Sequence, residues 1–90
     1  MDDLRRLREE IDDIDKKIVD LLERRMEVSR LVGTYKDMNG LPILDQKREE
    51  EIIQSRVAML NNKHFSDSVK EIYELVMQCS RQYQKKELEK

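Results

Sequence analysis

One cysteine, Cys79, is all that this 90-residue chain contains, so no intramolecular disulfide can form and a reducing, cytoplasmic setting is expected. A nucleophilic role for that thiol is not expected either, because no base stands beside it in the sequence. His64 is the only histidine. One histidine with one cysteine offers no ligand spacing for zinc or iron, and neither a metal nor another cofactor is expected. The two glycines, Gly33 and Gly40, are too few for a phosphate-cradling loop. No apolar run approaches the roughly 18 to 20 residues of a membrane span, and the amino terminus is charged rather than signal-like. Neither sign of charge dominates: 18 basic and 20 acidic residues are interspersed. With no basic stripe or run, nucleic acid is not an expected partner.

What is present begins with a seam. Leu4, Leu7, Ile11, Ile14, Ile18 and Leu21 follow one another in steps of three and four, then Arg25 occupies the next position, then Val28, Val32 and Tyr35 resume the pattern. The stretch from 4 to about 37 has no proline and is rich in Leu, Arg, Glu, Lys and Met, which predicts one continuous helix. Such a helix is roughly 50 Å long, whereas a compact globule of this chain length is about 30 Å across. The remaining residues cannot cover it. The sequence therefore predicts an all-α fold that pairs two copies, an intertwined helical-bundle homodimer. Arg25 has no acidic mate on the seam, and an unpaired buried charge costs several kcal/mol or more, so an anionic ligand is expected to meet it.

Beyond Tyr35 the pattern breaks at Asn39-Gly40-Leu41-Pro42, where Gly40 is free to take positive φ and Pro42 disfavours helix at Leu41. Asp45 is a predicted N-cap for a second helix over about 46–60, with Ile52, Ile53, Val57 and Leu60 on its apolar stripe. Asn61 and Asn62 are expected to end it. A third helix is predicted over about 67–86, capped by Ser66 or Asp67, with Val69, Ile72, Tyr73, Val76 and Met77 facing the core. Three helices in one domain spanning 1–90 complete the expected architecture.

Both shorter stripes turn polar at one end. One turn before Ile52 and Ile53 stand Arg48 and Glu49, and one turn beyond Val76 stands Ser80, followed by Gln84. Lys36 lies eleven positions after Arg25, which returns to within about 20° of the same face, some 16 Å along the helix. A cavity holding these cations, a carboxylate and a neutral amide suits a compact molecule with carboxylates and a hydroxyl. No nucleophile is placed with its base, so chemistry there is expected to work by positioning and electrostatics.

These residues, in this order, resemble the all-helical class of chorismate mutases across essentially the whole chain. The likeness is carried by Leu7-Arg8-Glu9-Glu10-Ile11-Asp12, by Ile14-Asp15, by Arg25 within Leu22-Glu23-Arg24-Arg25 and by Lys36 after Gly33. Pro42, Asp45, Arg48-Glu49, Ser80 and Gln84 continue it. The resemblance implies conversion of chorismate to prephenate in aromatic amino acid biosynthesis, with no covalent intermediate and no cofactor. It implies that Arg25 and Arg8 hold the two substrate carboxylates, Arg8 coming in trans from the partner copy. By the same likeness Lys36 and Gln84 donate to the ether oxygen whose bond breaks, and Glu49, with backbone near Asp45, accepts the substrate hydroxyl. Arg48 and Ser80 support the carboxylates or the site wall. Two features depart from the pattern: a short connector over 61–66, and Cys79 and Arg81 flanking Ser80, where Arg81 adds either surface charge or a further anion contact. Two alternatives stand beside this reading: an isochorismate pyruvate-lyase on the same scaffold with a similar cationic pocket, and a helical dimerisation module without activity, for which the heptads alone suffice.

Overall fold

The computed structural model describes residues 2–89; Met1 and Lys90 lie outside the described residues. Helix α1 runs Asp2–Met38, α2 runs Gln46–Ala58, and α3 runs Ser66–Leu88, entered through a single 3-10 turn at Lys63–Phe65. There is no strand among the described residues, and the class is all-α. No helix among them is long and apolar enough to cross a membrane.

The caps show why the helices stop and start where they do. At the end of α1 the N–H of Leu41 donates to the Lys36 carbonyl at 2.8 Å and that of Gly40 to the Asp37 carbonyl at 3.3 Å. Gly40 has φ of +64°, the left-handed conformation that this paired closure requires and that glycine takes without a Cβ penalty. Asp45 opens α2 as expected: its Oδ1 accepts from the Arg48 N–H at 3.0 Å. Helix α2 ends at Ala58, short of the expected 60, with Met59 as its C-cap. The start of α3 differs from the sequence reading. Ser66 is already helical, Phe65 is the N-cap without a side-chain bond, and the capping side chain belongs to Asn62, whose Oδ1 accepts from the His64 N–H at 3.0 Å. The asparagine thus starts the 3-10 turn rather than ending α2.

Helix α3 packs on both α1 and α2. The face it turns inward carries Met77, Ser80 and Gln84, with Val69, Tyr73 and Val76 half-buried. Ile72, expected in the core stripe, is exposed at 58%. Its place on the helix lies one step outside the arc that α1 and α2 cover. Helix α2 contributes Ile52, Ile53 and Val57, and Leu60 follows two residues past its end, all half-buried.

The single chain is elongated. Its extents are 56 × 28 × 15 Å and its radius of gyration is 16.4 Å, against about 12 Å for a compact domain of this length. Its accessible surface, 7820 Å², exceeds the roughly 5,600 Å² of a folded monomer of 10.9 kDa. Helix α1 contributes to the excess, with Leu4, Leu7, Ile11, Ile14, Ile18 and Leu21 all exposed.

Candidate active site

From Arg25 onward the inward face of α1 drifts from the heptad seam to a neighbouring stripe, Arg25, Ser29, Gly33 and Lys36, at steps of four, four and three, with the seam residues Val28 and Val32 beside it. Ser29 and Gly33 are the buried members of α1. They are small, and that lets α3 approach closely enough to lay Gln84 across them. A Cβ added to Gly33 would come within 2.8 Å of Gln84 Cγ and 3.1 Å of its Cβ. Gln84 is 6% exposed, and its Nε2 donates to the Ser29 carbonyl at 2.9 Å and to Ser29 Oγ at 3.1 Å. Both acceptors belong to one residue, a geometry in which a single N–H can bridge the two.

One turn earlier along α1, Arg25 is half-buried, and its Nη1 donates to Ser80 Oγ at 2.9 Å. The partner is a neutral hydroxyl, not a carboxylate, so the guanidinium keeps its charge for an anion. One turn later than Gly33, Lys36 donates through Nζ to the Ile43 carbonyl at 2.9 Å. The closure at Gly40 is what folds the chain back and brings that carbonyl within reach.

Helix α2 supplies the opposite wall. Glu49 is half-buried, its N–H bonded to the Asp45 carbonyl at 3.0 Å, and its Oε2 lies 2.9 Å from Arg81 Nε. That Nε is shielded from solvent and lacks the alignment of a hydrogen bond to the carboxylate, so charge attraction holds the pair. Arg48 lines the cavity while remaining exposed, which puts it at the rim rather than on the buried face where the stripe had placed it.

Arg25, Lys36, Asp45, Arg48, Glu49, Ser80 and Gln84 therefore line one partly open cleft of about 590 Å³, with Val28, Val32, Ile43, Ile52 and Met77 as its apolar surface. Arg8 is absent from it: exposed near the start of α1, it stands about 25 Å from Arg25 along the helix. Four further residues belong to the site. Ser29 and Gly33 seat Gln84, Arg81 pairs with Glu49, and Arg56 adds another cation to the lining. The spacing Arg25, Ser29, Gly33, Lys36, small residues between two cations on one helical face, is the signal that could have found the first two. Among the described residues no group of three or more His, Cys, Asp or Glu side chains could hold a metal ion.

The fold and the cleft together define an all-helical protein with a small, cation-lined interior site. Comparison with known proteins makes that class specific. The family described as chorismate mutase type II matches residues 7–85, and the chain belongs to it. It is 33% identical over 89 residues to the chorismate mutase of Methanocaldococcus jannaschii, covering 96% of this chain and 88% of that protein. The T-protein of Enterobacter agglomerans is 43% identical over 54 residues, 60% of this chain. The match spans only 14% of that T-protein's own length. A solved structure, a conserved hypothetical protein from Pyrococcus furiosus, superposes with a TM-score of 0.75 at 36% identity, covering 90% of this chain and 93% of that one.

Proposed function

We propose that this chain is a chorismate mutase, rearranging chorismate to prephenate within a homodimer whose two sites each borrow Arg8 from the partner copy. One observation carries the reading: Arg25, held only by a neutral hydroxyl, shares a cleft with Lys36, Gln84 and a carboxylate acceptor, Glu49. A dianion with a ring hydroxyl meets complementary groups at each of its polar ends.

The reaction is a concerted, unimolecular rearrangement, so no proton is abstracted and no covalent intermediate forms. The site has two tasks. It must hold the enolpyruvyl side chain over the ring in a near-attack geometry, and it must favour the negative charge that grows on the ether oxygen as its bond to carbon breaks. The guanidinium fork of Arg25 grips one carboxylate, and Arg8 of the second copy grips the other. Glu49 accepts the ring hydroxyl, with Asp45 beside it. Lys36 Nζ and the second N–H of Gln84 donate to the ether oxygen, and losing one such donor typically costs about 3 to 4 kcal/mol. Arg48 at the rim screens the dianion as it enters, and Ser80 keeps Arg25 aimed.

The dimer rests on the apolar seam and on the surface excess. About 2,200 Å² beyond a compact monomer is more than the roughly 800 Å² that each partner buries in a standard interface. Among the described residues Met77, 5% exposed, is the sole buried apolar side chain, so a single copy has little core with which to offset its chain entropy. An antiparallel partner laid along the seam covers it and brings Arg8 to the far cleft. A cytoplasmic setting and a single domain over 1–90 belong to the same proposal, supported respectively by the lone Cys79 and by α3 packing on both other helices.

The test is incubation with chorismate, following loss of its absorbance and appearance of prephenate, beside a parallel incubation with isochorismate. Prephenate from chorismate is the expected result. Pyruvate released from isochorismate, with chorismate untouched, contradicts it in favour of a lyase, and inertness toward both leaves only the dimerisation module.

A further inference from the structure

Among the described residues, Arg81 is the one cationic side chain of the cleft already paired with a carboxylate, and the carboxylate is Glu49. We propose that Arg81 is a positioning residue: it holds Glu49 in place to receive the substrate hydroxyl and acts through that carboxylate without touching the substrate. The inference rests on the chorismate site described above.

Three observations converge on it. Glu49 sits in the first turn of α2 with its side chain only 19% exposed, so the groups that face it from α3, Arg81 among them, decide where its carboxylate points. Arg81 lies on α3 immediately after Ser80, which receives the Arg25 Nη1 hydrogen bond from α1. Two adjacent residues of α3 thereby brace both walls of the cleft, one through a hydroxyl and the other through a guanidinium. Finally, Arg81 engages Oε2 through a solvent-shielded Nε, while Oε1 has no partner among the described residues. One oxygen is anchored and the other is left to accept.

The charge balance gives the pair a second effect. A bare carboxylate in the cleft repels a doubly anionic ligand, and a neighbouring guanidinium cancels most of that repulsion. Glu49 then contributes its acceptor oxygen to the ring hydroxyl at little electrostatic cost. Because that hydroxyl takes no part in bond breaking, the contribution falls on ground state and transition state alike and is read in KM.

The experiment is a double-mutant cycle on the full-length chain with chorismate, using wild type, Arg81→Leu, Glu49→Gln and the double variant, with Arg81→Lys as the charge-conserving control. Arg81→Leu is expected to raise KM about tenfold with kcat within about twofold, and Arg81→Lys to recover most of the loss. In the Glu49→Gln background the same substitution is expected to change kcat/KM by less than about twofold. If the leucine variant fails to fold by circular dichroism, Arg81→Gln carries the same comparison. Additive effects mean that Arg81 meets the substrate directly and overturn the inference, as does an Arg81→Leu enzyme with unchanged kinetics. Either outcome leaves the proposed function standing, whereas a wild type that does not convert chorismate refutes that function and this inference together.

Discussion

The two halves of α1 invert the usual order of a protein. Its first half, Leu4 to Leu21, displays an apolar row on the outside and is exposed at every position. Its second half meets α3 through Ser29, Gly33, Ser80 and Gln84, polar or small groups where a hydrophobic core would ordinarily stand. The apolar exterior is what a second copy would cover, and the polar interior is what a small charged ligand would meet. Each half is incomplete for a different reason: under the proposed function a second copy along the seam completes the first, and chorismate in the cleft completes the second.

The largest expected effect comes from making the outer half polar. Ile11→Asp combined with Ile18→Asp puts two carboxylates on the seam, each without a partner once buried. Sedimentation is expected to show loss of the dimer, with helicity and activity falling together. A folded, active monomer would separate the two halves and remove the need for the seam.

A middle-sized effect belongs to the inner half. Gln84 donates at any ordinary pH because its amide does not titrate, whereas a glutamate there donates only when protonated, ordinarily below about 4.3. Wild-type kcat/KM is expected to stay nearly level around neutrality. Gln84→Glu is expected to lose about a hundredfold at pH 7.5 and to regain activity on acidification. A pH profile identical to that of wild type removes Gln84 from the ether oxygen.

A smaller effect tests the close approach itself. Gly33→Ala places a methyl 2.8 Å from Gln84 Cγ, so the side chain must shift and its bonds to Ser29 must lengthen. A fall of about tenfold in kcat is expected, with KM little changed, because the donor acts on charge that develops only in the transition state. A further loss of about tenfold when Gly33→Ala is added to Gln84→Ala would contradict that coupling.

The outer half was the more legible in the sequence. Periodicity of three and four is a property of the chain itself, so the seam, the long helix and the Asp45 cap were readable from residue order. Gly40 and its turn were equally plain. The inner half was legible only in part, because its residues are defined by what they face. Arg25, Lys36, Glu49, Ser80 and Gln84 were found by following stripes past their apolar members, and all line one cleft. Ser29 escaped because a serine in a charged helix looks like surface, and its burial is set by how closely α3 approaches. Arg81 was read as surface charge or anion contact, since pairing with Glu49 depends on the angle between α2 and α3. Ile72 and Arg48 were placed one step too far inward, which is the resolution of a stripe argument when the width of the covered arc is unknown.

The most direct measurement is mixing. Arg25→Ala and Arg8→Ala are each expected to fold, to dimerise and to lose at least about a thousandfold in kcat/KM, since each removes one carboxylate clamp. When the two inactive proteins are unfolded together and refolded, about half of the dimers contain one copy of each, and in such a dimer one site has both arginines intact. Recovery of about a quarter of wild-type activity is the expected result. Heterodimers that form yet stay inactive, or an Arg8→Ala protein as active as wild type, would show that the site belongs to one chain alone.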